Sequence, residues 1–375
     1  MPSLSSEERQ QLHDSLIEML TDKYPFEHWK KVARSPGGEG FGRPEWKQYA
    51  EMGWLGIAMP EEAGGSNGGM TEVGIVMAAV GRFMLLEPFL GTMVLGAGAI
   101  ERVGTAKQKE LLGRIATGDL ILAFCHYEPG SGYERDYVNT VAKKDGAGWQ
   151  LDGEKTFAVG AHAADLLLVS ARIGSAKGPV GLFLVPRTSA GVALNQAPAF
   201  DGRLGAAVRL EGVKLGADAR LGDSDADQLA TLDAVIDRAA ISTCAEAVGA
   251  MAAVTDITVE YLKTRQQFGQ PLSKFQVLQH RLVDMSVSTE EARAIVHAAL
   301  QALDDGDPNA KRLVWMAKVK TTQCARFVGS QGIQLHGGMG MTDELVVGHY
   351  YKRLTMCETL FGDGEWYLKQ IGAAA

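Results

Sequence analysis

The stretch YLKTRQQFGQPLSKFQ, at residues 261–276, separates two long apolar segments of the chain. Upstream, residues 227–264 contain almost no helix breaker and are rich in Ala, Val and Ile, which predicts one long helix. Downstream, residues 274–304 predict a second helix, and residues 309–335 predict a third that stops before a pair of glycines. Long helices joined by short connections predict an antiparallel bundle.

The segment before this bundle has a different periodicity. Between residues 119 and 222, apolar and polar residues alternate in short runs, which is typical of β-strands. Asp152-Gly153 stands between two such runs and predicts a hairpin turn there. Residues 164–170 and 180–186 predict further strands. Several short strands with turns between them predict a small antiparallel barrel or sandwich.

The first segment has helical spacing again. Ser5 and Glu8 form a capping-box pattern before an amphipathic run, and residues 44–52 and 106–116 have similar spacing. The expected fold class is therefore α+β, with three domains. These domains are an N-terminal helical domain (1–118), a central antiparallel β-barrel domain (119–225) and a C-terminal helical bundle (226–375).

Composition excludes several classes of protein. The 375 residues carry a formal net charge of −8, which argues against a nucleic-acid or anionic-membrane partner. The four cysteines are scattered and form no CxxC pair, so we expect no metal site and no disulfide framework, only buried thiols. The N-terminal sequence has no secretory pattern, and no run of about 18 apolar residues predicts a membrane span. We expect a cytoplasmic protein.

Two stretches resemble the signatures of the acyl-CoA dehydrogenase family: residues 261–276 and QLHGGMGM at residues 334–341. They occur in the family's order, and the helix–barrel–helix organisation is also the family's, so the resemblance covers essentially the whole chain. It implies an FAD-dependent enzyme that desaturates an acyl-CoA thioester between its α and β carbons. An electron-transferring flavoprotein would then be the electron acceptor.

The matching residues suit the ADP part of FAD. An arginine fork at Arg265 can satisfy pyrophosphate oxygens bidentately, and the Gln276 amide can bind a ribose or phosphate oxygen. Gly337 and Gly338 let backbone N–H groups approach an anion closely. The predicted cofactor-binding residues are Arg265, Phe268, Gln276, Gln334, His336, Gly337 and Gly338. In the family this group serves the flavin of a neighbouring subunit, which implies an oligomer.

The catalytic positions of the family are altered in this chain. The usual base is a glutamate near the C-terminus, and counting from the glycine pair places Phe361 there. A minority of the family carries the base on the first long C-terminal helix, where Ala239 stands. Neither residue can accept a proton. Glu358 and Asp237 are the nearest carboxylates and remain candidates for a displaced base.

The segments that flank the flavin ring in the family also differ here. Glu128 and Thr140 keep the family's frame. Tyr133 replaces a small serine in the ligand path, Val159 replaces a hydroxyl residue that would bond the ring, and Phe157 departs from the family's tryptophan. The ADP-binding half is thus intact while the half that performs the chemistry is altered.

Two main hypotheses follow from this asymmetry. The first is the non-catalytic subunit of a heteromeric acyl-CoA dehydrogenase, with a heterotetramer as the expected assembly, similar to the bacterial steroid side-chain enzymes or to the small subunit of pimeloyl-CoA dehydrogenase. The second is a self-sufficient homo-oligomeric dehydrogenase that uses a displaced carboxylate. A binding module with no redox role is a third alternative.

Overall fold

The computed structural model describes residues 4–35, 38–223 and 226–374. The three long helices around residues 261–276 form where the periodicity predicts them, within two residues at each end. The α-helices are α1 (Ser6–Lys23), α2 (Phe26–Ala33), α3 (Arg43–Glu51), α4 (Met70–Arg82), α5 (Ala97–Val103), α6 (Ala106–Ala116), α7 (Leu229–Thr264), α8 (Gln276–Asp304), α9 (Ala310–His336), α10 (Val346–Thr359) and α11 (Gly364–Ala373).

The strands occupy the middle of the chain, apart from one short hairpin. They are β1 (Leu122–Cys125), β2 (Val141–Asp145), β3 (Gly148–Val159), β4 (Leu166–Ile173), β5 (Val180–Pro186), β6 (Val192–Pro198), β7 (Leu204–Leu215), β8 (Gln266–Gln267) and β9 (Gln270–Pro271). Helices, then a curled sheet, then helices follow one another along the chain, which confirms the predicted α+β class.

The chain divides into two units that are not continuous in sequence. The first, called the helical unit here, comprises the residues up to Lys30, Gly69–Leu85 and the chain from Ala240 onward. The second, called the sheet unit, comprises Lys31–Gly68 and Leu86–Ala239. The boundaries near residues 118 and 225 stay proposed domain limits, and residue 225 itself lies outside the described residues.

Helix ends in the helical unit are satisfied by side chains. Ser5 and Glu8 form the predicted capping box, in which the Ser5 N–H donates to the Glu8 carboxylate at 2.7 Å. The N-terminus of α4 is capped from α8, because the Met70 and Thr71 N–H groups donate to the Asp304 carboxylate at 2.5 and 2.9 Å. Capping of this kind satisfies donors that have no partner within their own helix.

Helices α4 and α7 cross with almost no side chain between them. A Cβ at Gly81 would lie 1.8 Å from the carbonyl oxygen of Glu246, and a Cβ at Gly249 would lie 1.8 Å from that of Ala78. Glycine is therefore required on both helices at this crossing, because any larger residue would force the two backbones apart.

The sheet unit contains one seven-stranded sheet in the order β1-β4-β2-β3-β7-β6, with β5 paired to β4. Four strand pairs run antiparallel, as expected, whereas β1 and β2 both pair with β4 in parallel. Alternating periodicity cannot reveal this difference, because it marks a strand without specifying its partner.

The hairpin predicted at Asp152-Gly153 is wrong. Strand β3 continues through these residues, and the turn lies earlier, between Asp145 and Gly148, which face each other across the ladder. A register shift at Gly153 marks a β-bulge, and the Asp152 carboxylate accepts a 2.7 Å hydrogen bond from the Gly212 N–H on β7. Asp-Gly suits a bulge as well as a turn, so the dipeptide alone did not discriminate between them.

Helix α7 is the one described helix that is long and apolar enough to cross a membrane. However, 83% of its most apolar window is buried inside the protein, as expected for a core helix. Its apolar character is therefore explained by packing.

Candidate functional site

The β8–β9 hairpin projects a phenylalanine from the end of α7. Phe268 and Gly269 both have positive φ angles, +54° and +78°, as a two-residue type I′ hairpin turn requires. The Phe268 side chain is 88% exposed. A non-glycine residue in this backbone region costs about 1 kcal/mol, so the turn holds an aromatic ring outside the fold at some expense in stability.

Arg265 and Gln276 flank this hairpin. The Arg265 carbonyl accepts from the Leu272 N–H at 2.9 Å, which closes the hairpin at its base. Both the Arg265 and the Gln276 side chains are exposed, and no hydrogen bond or ion pair engages either of them among the described residues. Their donor groups therefore face solvent at the start of α8.

The end of α9 presents exposed backbone. Gly337 has φ +59°, and a Cβ at Gly337 or Gly338 would meet no atom within 4 Å. Gln334, one turn earlier, is also exposed. The Gly337 N–H donates to the Gln334 carbonyl oxygen, and the missing side chains of the two glycines leave open space beside this turn.

His336 differs from the other predicted cofactor residues because its side chain is buried. The ring stacks on Tyr261 of α7 at 4.3 Å between centroids, and its Nδ1 lies 2.8 Å from the Gly332 carbonyl oxygen. Burial lowers the pKa of the imidazole. We therefore expect His336 to hold the glycine turn against α7 rather than to contact a ligand.

The exposed groups in these two loops fit the ADP part of FAD. An exposed guanidinium and two exposed side-chain amides are donors of the kind that a pyrophosphate and a ribose require. The open space at Gly337 and Gly338 is the observation that carries this fit, because side chains there would fill the approach.

Phe361, which the sequence comparison predicts at the usual base position, is buried and apolar. Phe361 is 8% exposed, and its φ of +62° places a bulky residue in the left-handed region. Its carbonyl oxygen accepts a 2.9 Å hydrogen bond from the Tyr367 hydroxyl. The backbone here is thus held in a strained conformation by its surroundings, without any group that could accept a proton.

A buried lysine holds the backbone just before Phe361. Lys318 of α9 donates to the carbonyl oxygens of Cys357 and Leu360 at 2.6 and 2.8 Å, and lies 3.2 Å from the Thr243 hydroxyl. Burial lowers the pKa of its ammonium group. Sequence reasoning missed Lys318; the available signal was a lysine on the apolar side of a helix that otherwise faces the core.

Glu358, the first candidate for a displaced base, is engaged by an arginine. The Arg326 Nε lies 2.9 Å from both carboxylate oxygens, and its Nη2 also donates to Oε1. The Glu358 side chain is 9% exposed, whereas that of Arg326 is 64% exposed. Both oxygens of this carboxylate are therefore engaged by the guanidinium group.

In the sheet unit, the second candidate is also paired. Asp237 accepts a 2.8 Å hydrogen bond from the Arg135 Nη2, and both side chains are buried. Arg135 also donates to the Asp233 carbonyl oxygen at 3.2 Å. Ala239 is fully buried. At about 100° per residue, Asp237 lies about 200° around α7 from Ala239, and its pairing with Arg135 could not be read from the sequence.

Glu128 and Thr140 belong to a buried polar cluster. The Glu128 carboxylate accepts from the Lys155 Nζ at 2.6 Å and from the Thr140 hydroxyl at 2.7 Å. Lys155 also donates to the His126 carbonyl oxygen at 3.1 Å. Burial raises the pKa of Glu128, but the Lys155 charge and these hydrogen bonds outweigh it, so the pKa is lowered overall. The cluster fixes the loop after β1.

The substituted residues near this cluster are partly accessible. Tyr133 and Val159 are half-buried, and Phe157 is exposed. All four cysteines are buried, and none of them forms a disulfide bond. Within residues 4–35, 38–223 and 226–374, no group of three or more His, Cys, Asp or Glu side chains could hold a metal ion.

Family models match three consecutive parts of the chain. The acyl-CoA dehydrogenase N-terminal domain matches residues 6–119, the middle domain residues 123–211 and the C-terminal domain residues 230–375. The chain therefore belongs to the acyl-CoA dehydrogenase family, whose members are FAD-binding oxidoreductases.

Individual relatives align over nearly the full length. Acyl-CoA dehydrogenase FadE12 of Mycobacterium tuberculosis is 31% identical over 351 residues, covering 91% of this chain and 89% of the relative. The steroid ACAD Tcur3481-Tcur3483, solved as a point variant, is 28% identical with a TM-score of 0.88, over 98% and 97% of the two chains. The ChsE4-ChsE5 complex of Mycobacterium tuberculosis is 26% identical with a TM-score of 0.87, over 100% and 98%.

Proposed function

We propose that this chain is the subunit of a hetero-oligomeric acyl-CoA dehydrogenase that holds the ADP part of FAD and lacks the catalytic base. One observation carries the proposal. Phe361 and Ala239 occupy both base positions of the family, and the two nearest carboxylates, Glu358 and Asp237, are committed to arginines. The groups suited to the dinucleotide are, in contrast, exposed.

The chain's own contribution is binding and orientation. Arg265 would hold the pyrophosphate bidentately, with the Gln276 and Gln334 amides as further donors, and the open turn at Gly337 and Gly338 would leave room for the ligand. When bound, FAD accepts the hydride that leaves the β carbon of the acyl chain. Removal of the α proton requires a carboxylate, and in this proposal a homologous partner subunit supplies it.

Two relatives support a heteromeric assembly. One is a solved complex of two named chains, and another is described as a steroid ACAD under a two-chain name. By the resemblance to such subunits we propose an acyl-CoA substrate of the fatty acid or steroid side-chain class, an electron-transferring flavoprotein as acceptor, and the cytoplasm as location.

The alternative is a homo-oligomer that uses Glu358. The observation in its favour is a nearly buried carboxylate three residues before Phe361. Its contact with Arg326 opposes this role, because both carboxylate oxygens already accept hydrogen bonds from the guanidinium group.

Anaerobic flavin bleaching distinguishes the two proposals. The chain is purified alone, loaded with FAD and mixed with a medium-chain acyl-CoA while flavin absorbance is followed. We expect the isolated chain to bleach the flavin about 10²–10⁴-fold more slowly than the chain with its partner. This is the usual loss of rate when a general base is missing. The partner tested is the protein encoded by the neighbouring gene. The control is a variant of that partner in which the glutamate that serves as the base is replaced.

Rapid bleaching by the isolated wild-type chain would overturn the subunit proposal. In that case Glu358→Gln should abolish it, while Asp237→Asn should not. Phe361→Glu in the isolated chain should rescue little, because Phe157, Val159 and Tyr133 still alter the ring pocket.

A further inference from the structure

A small cavity lies in the interior of the helical unit, between α7, α9 and α10. Every residue that lines it is buried, so the space is shielded from bulk solvent. Its free volume is about 10 Å³. This is close to the smallest space that can hold one water molecule, and it is too small for an organic ligand.

The wall of this cavity is polar on several sides. The hydroxyl residues Thr243, Thr321 and Thr322 line it, together with Lys318 and Glu358. Buried cavities with apolar walls stay empty, whereas a water molecule enters a polar cavity that offers it about two to four hydrogen-bond partners. Hydration of this cavity therefore depends on which of these groups lack a partner inside the protein.

Thr322 carries a hydroxyl of this kind. The residue is 5% exposed, and its Oγ1 makes no hydrogen bond within the part of the chain that the structure describes. Other buried threonines of the bundle differ, because Thr255, Thr258 and Thr289 each donate to the carbonyl oxygen four residues earlier, at 2.6–2.9 Å. A buried hydroxyl without a partner is costly, and such groups in proteins usually bond an ordered water molecule.

The hydroxyl of Thr321, the preceding residue, is in a similar position. It makes no hydrogen bond to a nitrogen or oxygen atom of the described residues, and its neighbour is the Cys244 thiol. Burial raises the pKa of this thiol, so it stays protonated, and a neutral sulfur atom is a weak acceptor. Two adjacent residues of α9 therefore bring to the same cavity hydroxyl groups that lack a strong partner.

The ammonium group and the third hydroxyl at the cavity already have partners. Lys318 uses its three N–H donors on Thr243 and on the carbonyl oxygens of Cys357 and Leu360. The Thr243 hydroxyl in turn donates to the Ala240 carbonyl oxygen at 2.7 Å. These two groups need no further ligand, but they make the wall polar.

Glu358 can accept a further hydrogen bond. The Arg326 Nε donates to both of its carboxylate oxygens at 2.9 Å. Each carboxylate oxygen has about two acceptor sites, so capacity for a donor in the cavity remains. A water molecule matches this set of groups, because it can accept from two hydroxyls and donate to a carboxylate.

We propose that the cavity holds one ordered water molecule, which accepts hydrogen bonds from the Thr321 and Thr322 hydroxyls and donates one to the Glu358 carboxylate. The water joins α9 to α10 and holds Glu358 from the interior, while Arg326 holds it from the solvent side. The inference is independent of the proposed function, because neither FAD binding nor the origin of the base enters into it.

A high-resolution crystal structure of the FAD-loaded protein tests the proposal directly. We expect one electron-density peak in the cavity, within hydrogen-bond distance of the Thr322 Oγ1 and of a Glu358 carboxylate oxygen. Thr322→Ser keeps the hydroxyl and should keep this peak, whereas Thr322→Val should weaken or remove it. The matched control is Thr289→Val on α8, outside the cavity lining, which should leave the peak unchanged. A cavity without density in the wild type would refute the proposal.

Thermal unfolding gives a second test, because a hydrated and a dry cavity predict changes of opposite sign. Thr322→Val removes the hydroxyl with little change in shape. If water is bound, the variant removes one of its partners, and the melting temperature should fall by about 2 °C. If the cavity is dry, the variant removes an unsatisfied hydroxyl, and the melting temperature should rise, which would overturn the proposal. If Thr322→Val does not fold, Thr321→Val is measured with the same criterion.

Discussion

Two sets of polar side chains in the helical unit differ in their partners. One set flanks the β8–β9 hairpin and the end of α9, and the other lies near Phe361. Arg265, Gln276 and Gln334 are exposed and uncommitted among the described residues. Lys318 and Glu358 are buried or nearly so, and each is held by partners within the helical unit. Solvent-facing donors can serve a ligand, whereas committed groups maintain the backbone around an apolar position. The comparison predicts that substitutions in the two regions will affect different measurements.

The largest effect on stability is expected at Lys318. Lys318→Met would leave the carbonyl oxygens of Cys357 and Leu360 without their buried donor, at about 1–3 kcal/mol each. We expect the free energy of unfolding to fall by about 4 kcal/mol, measured by urea denaturation. Lys320→Met, a partly exposed position on the same helix, should change it by less than about 0.5 kcal/mol. Equal effects of the two variants would contradict the structural role.

A second expected effect concerns a buried carboxylate that has no cation partner among the described residues. Glu87 accepts from the Gly42 and Leu86 N–H groups at 3.3 and 3.1 Å, and burial raises its pKa to about 7. Between pH about 4.5 and 7 the native state binds a proton that the unfolded state does not. The free energy of unfolding should therefore fall as pH rises through this window, by about 3 kcal/mol in total.

Glu87→Gln should flatten this pH dependence, as measured by urea denaturation at several pH values. Glu110→Gln, an exposed position on α6, should leave the slope unchanged. Parallel curves for the wild type and Glu87→Gln would show that Glu87 is ionised throughout.

The smallest expected change in free energy concerns FAD binding by the exposed Arg265. Arg265→Ala should weaken FAD retention about ten- to a hundredfold, since a charge-assisted hydrogen bond contributes about 1.5–3 kcal/mol. The melting temperature of the apoprotein should not change, because the side chain is exposed. Flavin content and melting temperature are measured on the same sample, with Lys263→Ala at the end of α7 as the control. Unchanged flavin content would make Arg265 an ordinary surface charge.

The sequence predicted those parts of the molecule that depend on neighbouring residues. Helices α7, α8 and α9 follow from their periodicity. The parallel pairing of β1 with β4 and the bulge at Gly153 depend on strands that come later in the chain, so local patterns could not specify them.

The ion pairs of the two candidate bases could not be predicted from the sequence either. Asp237 pairs with Arg135, 102 residues away, and Glu358 pairs with Arg326 of a neighbouring helix. Sequence position can place a carboxylate near a catalytic position, but only the three-dimensional packing shows which cation neutralises it.

The division of the helical unit in sequence has a consequence for how the chain is made. Helices α1 and α4 emerge from the ribosome before the 154 residues of Leu86–Ala239, and their packing partners α7 and α8 follow later still. At about 5–20 residues per second, synthesis of these 154 residues alone delays the packing of α4 by about 8–30 s. The sheet unit ends at Ala239, so all of its segments are synthesised before the helical unit is complete. Synthesis therefore favours a nascent chain in which the sheet unit is folded while α1 and α4 remain exposed to chaperones.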